Sequence, residues 1–264
     1  MTRDRGDVTD GSEEIVPSEV RKSAITSQSI GVDELTAVLA AVAPDAEADE
    51  YRRAIVDANI LGLETQTGRT WRHKTLSRLY RLDPALVLFR ALRDLWELDA
   101  EAQPLLAGSA AMAHDTVFRA TASLIAELSY GHDVSTADFA HAINEAFPGA
   151  YQENTATTIA RKASMSWDQT GHLEPVKAGV RERVQAACGP ANVAYALLLG
   201  HLQGHRGEAL FTTIWARVLD RPRSQLMDLA FAASQQGMLE FRSSGGVIEV
   251  GFAQLLRPME GQLL

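Results

Sequence analysis

The sequence has little of what characterises secreted and membrane proteins. It contains one cysteine, Cys188, so an internal disulfide is excluded, and this usage is typical of a reducing compartment. No apolar run approaches the roughly 18 residues that a membrane helix needs; the run Val193–Leu199 ends at Gly200. The acidic segment Met1–Glu19 lacks the apolar core of a secretory signal. We therefore expect a cytoplasmic protein with no membrane partner.

The sequence also lacks the short motifs that identify common enzyme classes. It has no Walker phosphate-binding loop, no Gly-rich dinucleotide fingerprint, no cysteine pairs for zinc and no nucleophile elbow. His201 and His205 are four residues apart and Glu208 follows, but Gly204 marks the end of their helix. We therefore expect a protein that is not an enzyme, with no catalytic residue, no cofactor and no metal.

What is present is an ordinary globular composition, with 46% hydrophobic and 22% charged residues. The net charge of −9 opposes nucleic-acid binding, but the charges are unevenly distributed. Residues 1–51 hold 4 basic and 12 acidic residues, and residues 94–150 hold 1 and 9. Residues 52–93, in contrast, hold 9 and 3, and residues 151–264 hold 11 and 10. The basic island is either a contact face for a polyanion or a solvated face.

The spacing of apolar residues predicts a mainly α fold, a helical bundle followed by winged-helix-like modules with a small C-terminal β-hairpin. We predict a disordered acidic tail over residues 1–22 and a helical bundle over 23–130. A helix-turn-helix or winged-helix-like module follows over 131–176, and a C-terminal winged-helix domain over 177–264. The helices predicted in the bundle are Val32–Val42, Ala46–Leu61, Thr70–Leu82, Pro84–Leu98, Gln103–Ser109 and Ala113–Ser129.

Two later segments share an order of elements. In the first, Ser135 and Asn154 cap two successive helices, and the second helix stops at Gly171 before an extended stretch. The second segment is predicted to contain the helices Ala191–Leu202, Glu208–Leu219 and Ser224–Gln236 and a hairpin of Met238–Arg242 and Val247–Phe252. The residues Gln169–Glu174 resemble Gln235–Glu240, which indicates either a duplication or a shared helix-stop signal.

The helix Asn154–Thr170 is the best candidate for reading DNA. A recognition helix buries one side and turns the other toward the major groove. At about 100° per residue, the predicted buried side consists of Ala156, Ile159, Ala160, Ala163 and Trp167. The candidate DNA contacts are Asn154, Thr158, Arg161, Lys162 and Gln169. Such cations reach phosphates or guanine, and such amides and hydroxyls reach base edges; the alternative is a polar helix that faces solvent.

A second set of candidate contacts lies on the helix Thr70–Leu82. Lys74, Arg78 and Arg81 follow the i, i+4, i+7 spacing, and the other candidates here are Arg69 and Arg72. Like charges at this spacing repel one another, and a bound polyanion would relieve the repulsion. Trp71 is expected in the core.

The last segment offers fewer cations. Arg221 and Arg223 precede its third helix, and Arg242 lies beside the hairpin turn, where a wing would touch the DNA backbone. Asp228, on the outward side of this third helix, would repel DNA if the helix faced the DNA. Contact with a protein partner fits this segment equally well.

Three segments in order carry a resemblance to a known family: Ala54–Leu61 followed by Arg69–Leu79, then His114–Val117, then Asn154–Leu173. Together they make residues 54–174 resemble BrxA, the small helical DNA-binding component of BREX phage-defence systems. The resemblance implies a helical fold with a winged-helix-like part, binding of double-stranded DNA without catalysis, and work beside a methyltransferase and other defence proteins. By position it implies DNA contacts at Arg69, Arg72, Lys74, Arg78, Arg161 and Lys162.

The candidate contacts predict a non-enzymatic protein that binds double-stranded DNA, and the resemblance implies an accessory role in a bacterial phage-defence system. The alternative is an adaptor whose winged-helix modules bind a protein of a larger complex.

Overall fold

The computed structural model describes residues 11–257 and is mainly helical with two small antiparallel sheets, which confirms the mainly α class. The helices of the first half are α1 (Val32–Ala41), α2 (Ala48–Arg52, continued by a π-helical turn Arg53–Asp57), α3 (Gln66–Tyr80), α4 (Val87–Trp96), α5 (Gln103–His114), α6 (Thr116–Ala120) and α7 (Ala122–Glu127). The second half contains β1 (Asp133–Ser135), α8 (Thr136–Ala146), α9 (Glu153–Gln169), β2 (Leu173–Lys177), β3 (Val180–Arg183), α10 (Pro190–Leu202), α11 (Ile214–Arg217), α12 (Arg223–Gln235), β4 (Glu240–Ser244) and β5 (Val247–Gly251).

The three-stranded sheet has the order β1-β3-β2, with β3 antiparallel to both neighbours. The predicted boundary between residues 176 and 177 falls inside β2, one residue before its end, and divides the paired strands β2 and β3. The strand β3 has four residues, three of them charged, and such a short segment gives little periodic signal in the sequence. The second sheet is the hairpin β4–β5, in which Ser244 pairs with Val247 across a Gly-Gly turn.

Residues 11–22 pack on the helices, although the sequence predicts a disordered tail over 1–22. Ile15 and Val16 are buried. Glu14 accepts the backbone N–H groups of two residues at the start of α4, at 2.7 and 2.9 Å. The prediction is wrong for this stretch because Ile15 and Val16 are buried and Glu14 caps α4, and acidic composition does not reveal these contacts. Residues 1–10 lie outside the described residues.

The single helix predicted over Ala113–Ser129 is broken into the end of α5, α6 and α7. Asp115 ends α5, and its Oδ1 accepts the N–H of Phe118 at 2.8 Å, so the same residue caps α6. Apolar periodicity continues through such a break and does not reveal it. The predicted helix Glu208–Leu219 is likewise a 3₁₀ turn, Gly207–Thr212, followed by the short α11.

A helix pair followed by a hairpin occurs twice, as α8-α9-β2-β3 and as α11-α12-β4-β5. Gly171 and Gly237 end the second helix of each pair with φ of 81° and 74°, a left-handed conformation that favours glycine. In both, the residue after the glycine donates its N–H to the carbonyl five residues earlier, at 3.1 and 2.9 Å. The similar segments Gln169–Glu174 and Gln235–Glu240 therefore form the same helix end.

One apolar core extends through the described part of the chain. The helix α10 is buried on almost every side. Its Tyr195 hydroxyl donates to the Leu88 carbonyl of α4 at 3.1 Å, and its Asn192 amide donates to the Ala102 carbonyl before α5 at 2.9 Å. The predicted bundle and the predicted C-terminal domain thus pack as one body.

Buried arginines close several helix ends. Arg93 donates to two carbonyls at the end of α1, Arg119 to the Met112 carbonyl of α5 at 3.1 Å, and Arg183 to the Ile125 carbonyl of α7 at 3.1 Å. The last carbonyls of a helix have no partner within the helix, and a cation also suits its negative end. These arginines therefore belong to the core and not to a binding face.

Two buried histidines make the fold sensitive to acid. Burial lowers the pKa of His114 and of His172 to about 4 in each case. In the unfolded chain a histidine has a pKa of about 6.5, so between these values the unfolded state binds more protons and stability falls as the pH falls.

We predict that the free energy of unfolding decreases from pH 7 to pH 4. Between the unfolded and folded pKa values, each histidine adds about 1.4 kcal/mol per pH unit to the slope of this free energy against pH. Urea denaturation at several pH values measures this slope. The variant His114→Gln keeps a donor for the Leu79 carbonyl, which the native ring contacts at 2.9 Å. It should reduce the slope by about one proton; an unchanged slope would contradict the prediction.

Candidate nucleic-acid interface

The cations of α3 lie on its solvent side. Lys74, Arg78 and Arg81 are exposed, while the apolar residues of the opposite side are buried. Thr65 caps the helix by accepting a backbone N–H at 3.0 Å, and Arg81 ends it in a left-handed conformation with φ of 69°. The spacing read from the sequence therefore corresponds to an exposed stripe along the last two turns.

The helix α9 buries the side that its periodicity predicts and exposes Thr158 and Arg161. The N-cap is Gln152, so the prediction that Asn154 caps the helix is wrong; Asn154 lies exposed in the first turn. The helix begins earlier, at an acidic residue that suits its positive end. Lys162 is half-buried. The predicted buried residues that the structure confirms are Ala156, Ile159, Ala160, Ala163 and Trp167.

Residues 21–31 form a strap of backbone that follows α9. Arg21 donates to a carbonyl in the loop before α9 at 2.7 Å. Near the other end, two backbone N–H groups of the strap donate to Ser166 Oγ at 3.2 Å and to Gln169 Oε1 at 3.0 Å. The strap therefore runs from the start of α9 to its end. Lys162 precedes Ser166 by one helical turn and so lies on the side of α9 that faces the strap.

The strap also contacts α3. The Tyr80 hydroxyl of α3 donates to the Ile30 carbonyl at 2.9 Å. Burial lowers the pKa of Lys22, and the neighbouring positive charges of Arg81 and Arg78 lower it further, whereas the carboxylate of Asp115 acts in the opposite direction. Lys22 thus lies beside the end of α3. Sequence reasoning missed Lys22 because it falls within the predicted tail.

Asp115 fixes the middle of the strap. Its Oδ2 accepts the N–H of Ala24 at 2.6 Å, the N–H of Ile25 at 3.1 Å and the hydroxyl of Ser23 at 3.1 Å. Burial raises the pKa of this carboxyl, and the hydrogen bonds from backbone N–H groups act in the opposite direction. One side chain therefore caps α6 and holds the strap.

We define the cationic surface as the exposed or half-buried cations of the strap, α3 and α9. Its members are Lys22, Lys74, Arg78, Arg81, Arg161 and Lys162. Among residues 11–257, none of these six forms an ion pair. By contrast, Arg52 and Arg53 both pair with Asp49, at 3.0 and 2.9 Å. The charge of the cationic surface is thus left for a ligand or for solvent.

Three other predicted contacts on α3 and α9 are engaged within the fold. Arg69 donates to a backbone carbonyl of the preceding loop at 3.0 Å. Arg72 pairs with Glu34 of α1. Gln169 accepts the hydrogen bond from the strap. We leave these residues out of the cationic surface because their polar atoms already have partners.

The predicted contacts near the C-terminus are similarly occupied or opposed. Arg221 is half-buried and donates to two backbone carbonyls, both at 3.0 Å. Arg223 pairs with Glu208 at 2.5 Å. Arg242 is exposed but lies directly opposite Glu249 in the β4–β5 ladder. This region therefore carries little free positive charge.

Aligned on the glycine that ends each helix, α12 differs from α9 on its outer side. Where α9 has the pair Arg161 and Lys162, α12 has Met227 and Asp228. Phe231 of α12 has 56% of its surface exposed. The second unit therefore presents an apolar and acidic face where the first presents a cationic one.

In residues 11–257, no helix combines the length and apolar character needed to cross a bilayer, and no three His, Cys, Asp or Glu side chains are arranged to hold a metal ion. Burial raises the pKa of Cys188 to about 12, which disfavours its thiolate at neutral pH. Comparison of the chain with protein-family profiles, curated proteins and solved structures gave no match.

We predict that Asp115→Ala lowers the free energy of unfolding by about 3 kcal/mol or more, because it removes a cap and leaves buried N–H groups of the strap without an acceptor. Urea denaturation measures the loss. Asp115→Asn should cost less, since the amide oxygen still accepts. Thr65→Ala is the matched control: it removes an exposed cap and should cost about 1 kcal/mol. Equal losses for Asp115→Ala and Thr65→Ala would refute the role of Asp115.

Proposed function

We propose that this protein binds double-stranded DNA through the cationic surface and has no catalytic role. The observation that carries the proposal is that six cations from the strap, α3 and α9 form no ion pair within residues 11–257, although the chain has a net charge of −9. Unneutralised cations grouped on one region attract a polyanion and release its counterions on binding.

A winged-helix interpretation of the first unit supports α9 as the helix that enters the major groove. In such a module a helix-turn-helix pair is followed by a two-stranded wing, and the second helix of the pair reads the DNA. In this arrangement α8 supports α9, and the hairpin β2–β3 is the wing. Lys177 at the end of β2 is exposed and stands where a wing meets the DNA backbone. Asn154 in the first turn of α9 would offer its side-chain amide to base edges, whereas the Thr158 hydroxyl already donates to the Asn154 carbonyl at 2.9 Å.

The resemblance of residues 54–174 to BrxA supports the same ligand and suggests a place for it. Both α3 and α9, which supply most of the cationic surface, lie within that stretch. We therefore propose an accessory role in a bacterial phage-defence system of the BREX kind, beside other defence proteins.

We predict that replacing Lys74, Arg78, Arg161 and Lys162 by Ala weakens binding to duplex DNA. Each phosphate contact contributes about 0.9 to the slope of log K against log salt concentration, so the slope should fall by about 3 to 4. Fluorescence anisotropy with a labelled duplex at several salt concentrations measures both quantities.

The matched control removes four exposed arginines that form surface ion pairs elsewhere, Arg52, Arg53, Arg217 and Arg223. It changes the net charge equally and should leave the slope intact. If both variants bind duplex DNA as the natural protein does, or if both lose binding alike, the cationic surface is not the DNA interface.

A second candidate function, protein binding by the second unit, is favoured by the exposed Phe231. An aromatic side chain with an apolar neighbour, Met227, is typical of the anchor of a protein interface. In this proposal the first unit holds DNA, and α12 with the hairpin β4–β5 recruits a protein of the same complex.

We predict that Phe231→Ser abolishes a complex that the natural protein forms with a protein from its own cells, while duplex binding stays unchanged. Pull-down with both variants, followed by anisotropy on the same preparations, separates the two functions. Retention of every bound protein by Phe231→Ser would exclude α12 as the docking face.

A further inference from the structure

Trp71 has 46% of its surface exposed on α3, although the sequence favours a place in the core. The other tryptophans of the chain, Trp96, Trp167 and Trp215, are buried. Residues 11–257 therefore leave nearly half of this large aromatic side chain uncovered.

Cationic side chains surround the indole ring of Trp71. Lys74 and Arg78 follow at i+3 and i+7, on the same side of α3. The Arg72 guanidinium lies 5.8 Å from the centre of the indole ring, and its pairing with Glu34 fixes it there. Nearly half of the Trp71 surface remains for contact with a ligand.

We propose that Trp71 stacks on an unpaired nucleobase of a strand that runs along α3. This inference rests on the proposed function. When a duplex bound at α9 carries a single-stranded extension, that extension would reach α3 at the end of the helix that lies beside Lys22. From Arg81 to Trp71 the helix rises about 15 Å, the length of about four stacked nucleotides. The phosphates of this extension would pass Arg81, Arg78 and Lys74 in turn.

A nucleic acid fits this surface better than an acidic peptide does. Either polyanion would satisfy the cations, but only a base supplies a planar group for the indole. Aromatic side chains beside a cationic track are the usual means of binding single strands, and one stacked base contributes about 1–3 kcal/mol. Trp71 is therefore assigned to the ligand and not to the fold.

The first experiment compares a blunt duplex with the same duplex carrying a six-nucleotide single-stranded extension. For the natural protein, the extension should raise affinity about tenfold, which corresponds to about 1.4 kcal/mol from one stacked base. Trp71→Ala should lose this gain and still bind the blunt duplex, whereas Trp71→Phe should keep most of it. Leu98→Ala, which alters another exposed apolar residue, is the control and should keep all of it.

The second experiment uses the fluorescence of Trp71, the tryptophan accessible to solvent. Oligodeoxythymidylate should quench it, and polyglutamate of equal charge should not. Quenching of equal size by polyglutamate, or an equal gain from the extension in Trp71→Ala, would overturn the stacking proposal.

The two proposals fail in different ways. Loss of blunt-duplex binding by the natural protein, with Trp71-dependent binding of oligodeoxythymidylate retained, would refute the duplex function and support stacking at Trp71. Binding of the blunt duplex with no gain in affinity from the extension would support the duplex function and refute stacking at Trp71.

Discussion

The carboxylate of Asp115 is the interaction on which the candidate interface depends. Its two oxygens accept hydrogen bonds from the first turn of α6 and from the strap, so they join segments about 90 positions apart in the chain. The strap contacts both α3 and α9, and α5 packs against both helices, so the strap and α5 together place the cations of the two helices relative to each other. A buried carboxylate is costly without partners, and here backbone N–H groups supply them. The structural centre of the interface is therefore an acid.

The cations of the chain have different roles, and this explains how a chain of net charge −9 can present a positive region. Arg93, Arg119 and Arg183 are buried inside the fold, where they donate hydrogen bonds to carbonyls at helix ends. Arginines such as Arg52 and Arg53 are balanced by acids at the surface. The six cations of the cationic surface, on the strap, α3 and α9, form no ion pair within residues 11–257. Net charge sums all of these classes, whereas the field that a polyanion meets at one face depends mainly on the charges near that face.

Much of the local structure could be predicted from the sequence because local interactions determine it. Ser135 and Asp138 form a capping box at the start of α8, with mutual hydrogen bonds over three residues. The buried side of α9 follows from apolar spacing, and Gly171 and Gly237 mark the helix ends by a conformation that other residues adopt with strain. Each of these features depends on residues within about two turns of one another.

What could not be predicted depends on contacts between distant residues. The break at Asp115 is stabilised by N–H groups of the strap, and the strap in turn has no periodic pattern of its own. For the candidate interface, spacing indicates which cations share a helix side, but it does not show that Arg72 pairs with Glu34 or that Gln169 holds the strap. Lys22 and Trp71 were misplaced for the same reason: their exposure is determined by neighbours from other parts of the chain.

The two helix–helix–hairpin units show how little of the backbone must change for the surface to change. Their second helices end with the same glycine geometry and continue into a hairpin, so the framework that positions the outer side is shared. The difference lies in side chains that do not pack in the core, such as Lys162 in α9 and Asp228 in α12. Because exposed positions tolerate substitution at small cost in stability, each unit is free to acquire its own ligand chemistry. A cationic first unit and an apolar second unit are therefore consistent with a protein that joins a nucleic acid to a protein partner while keeping one continuous core.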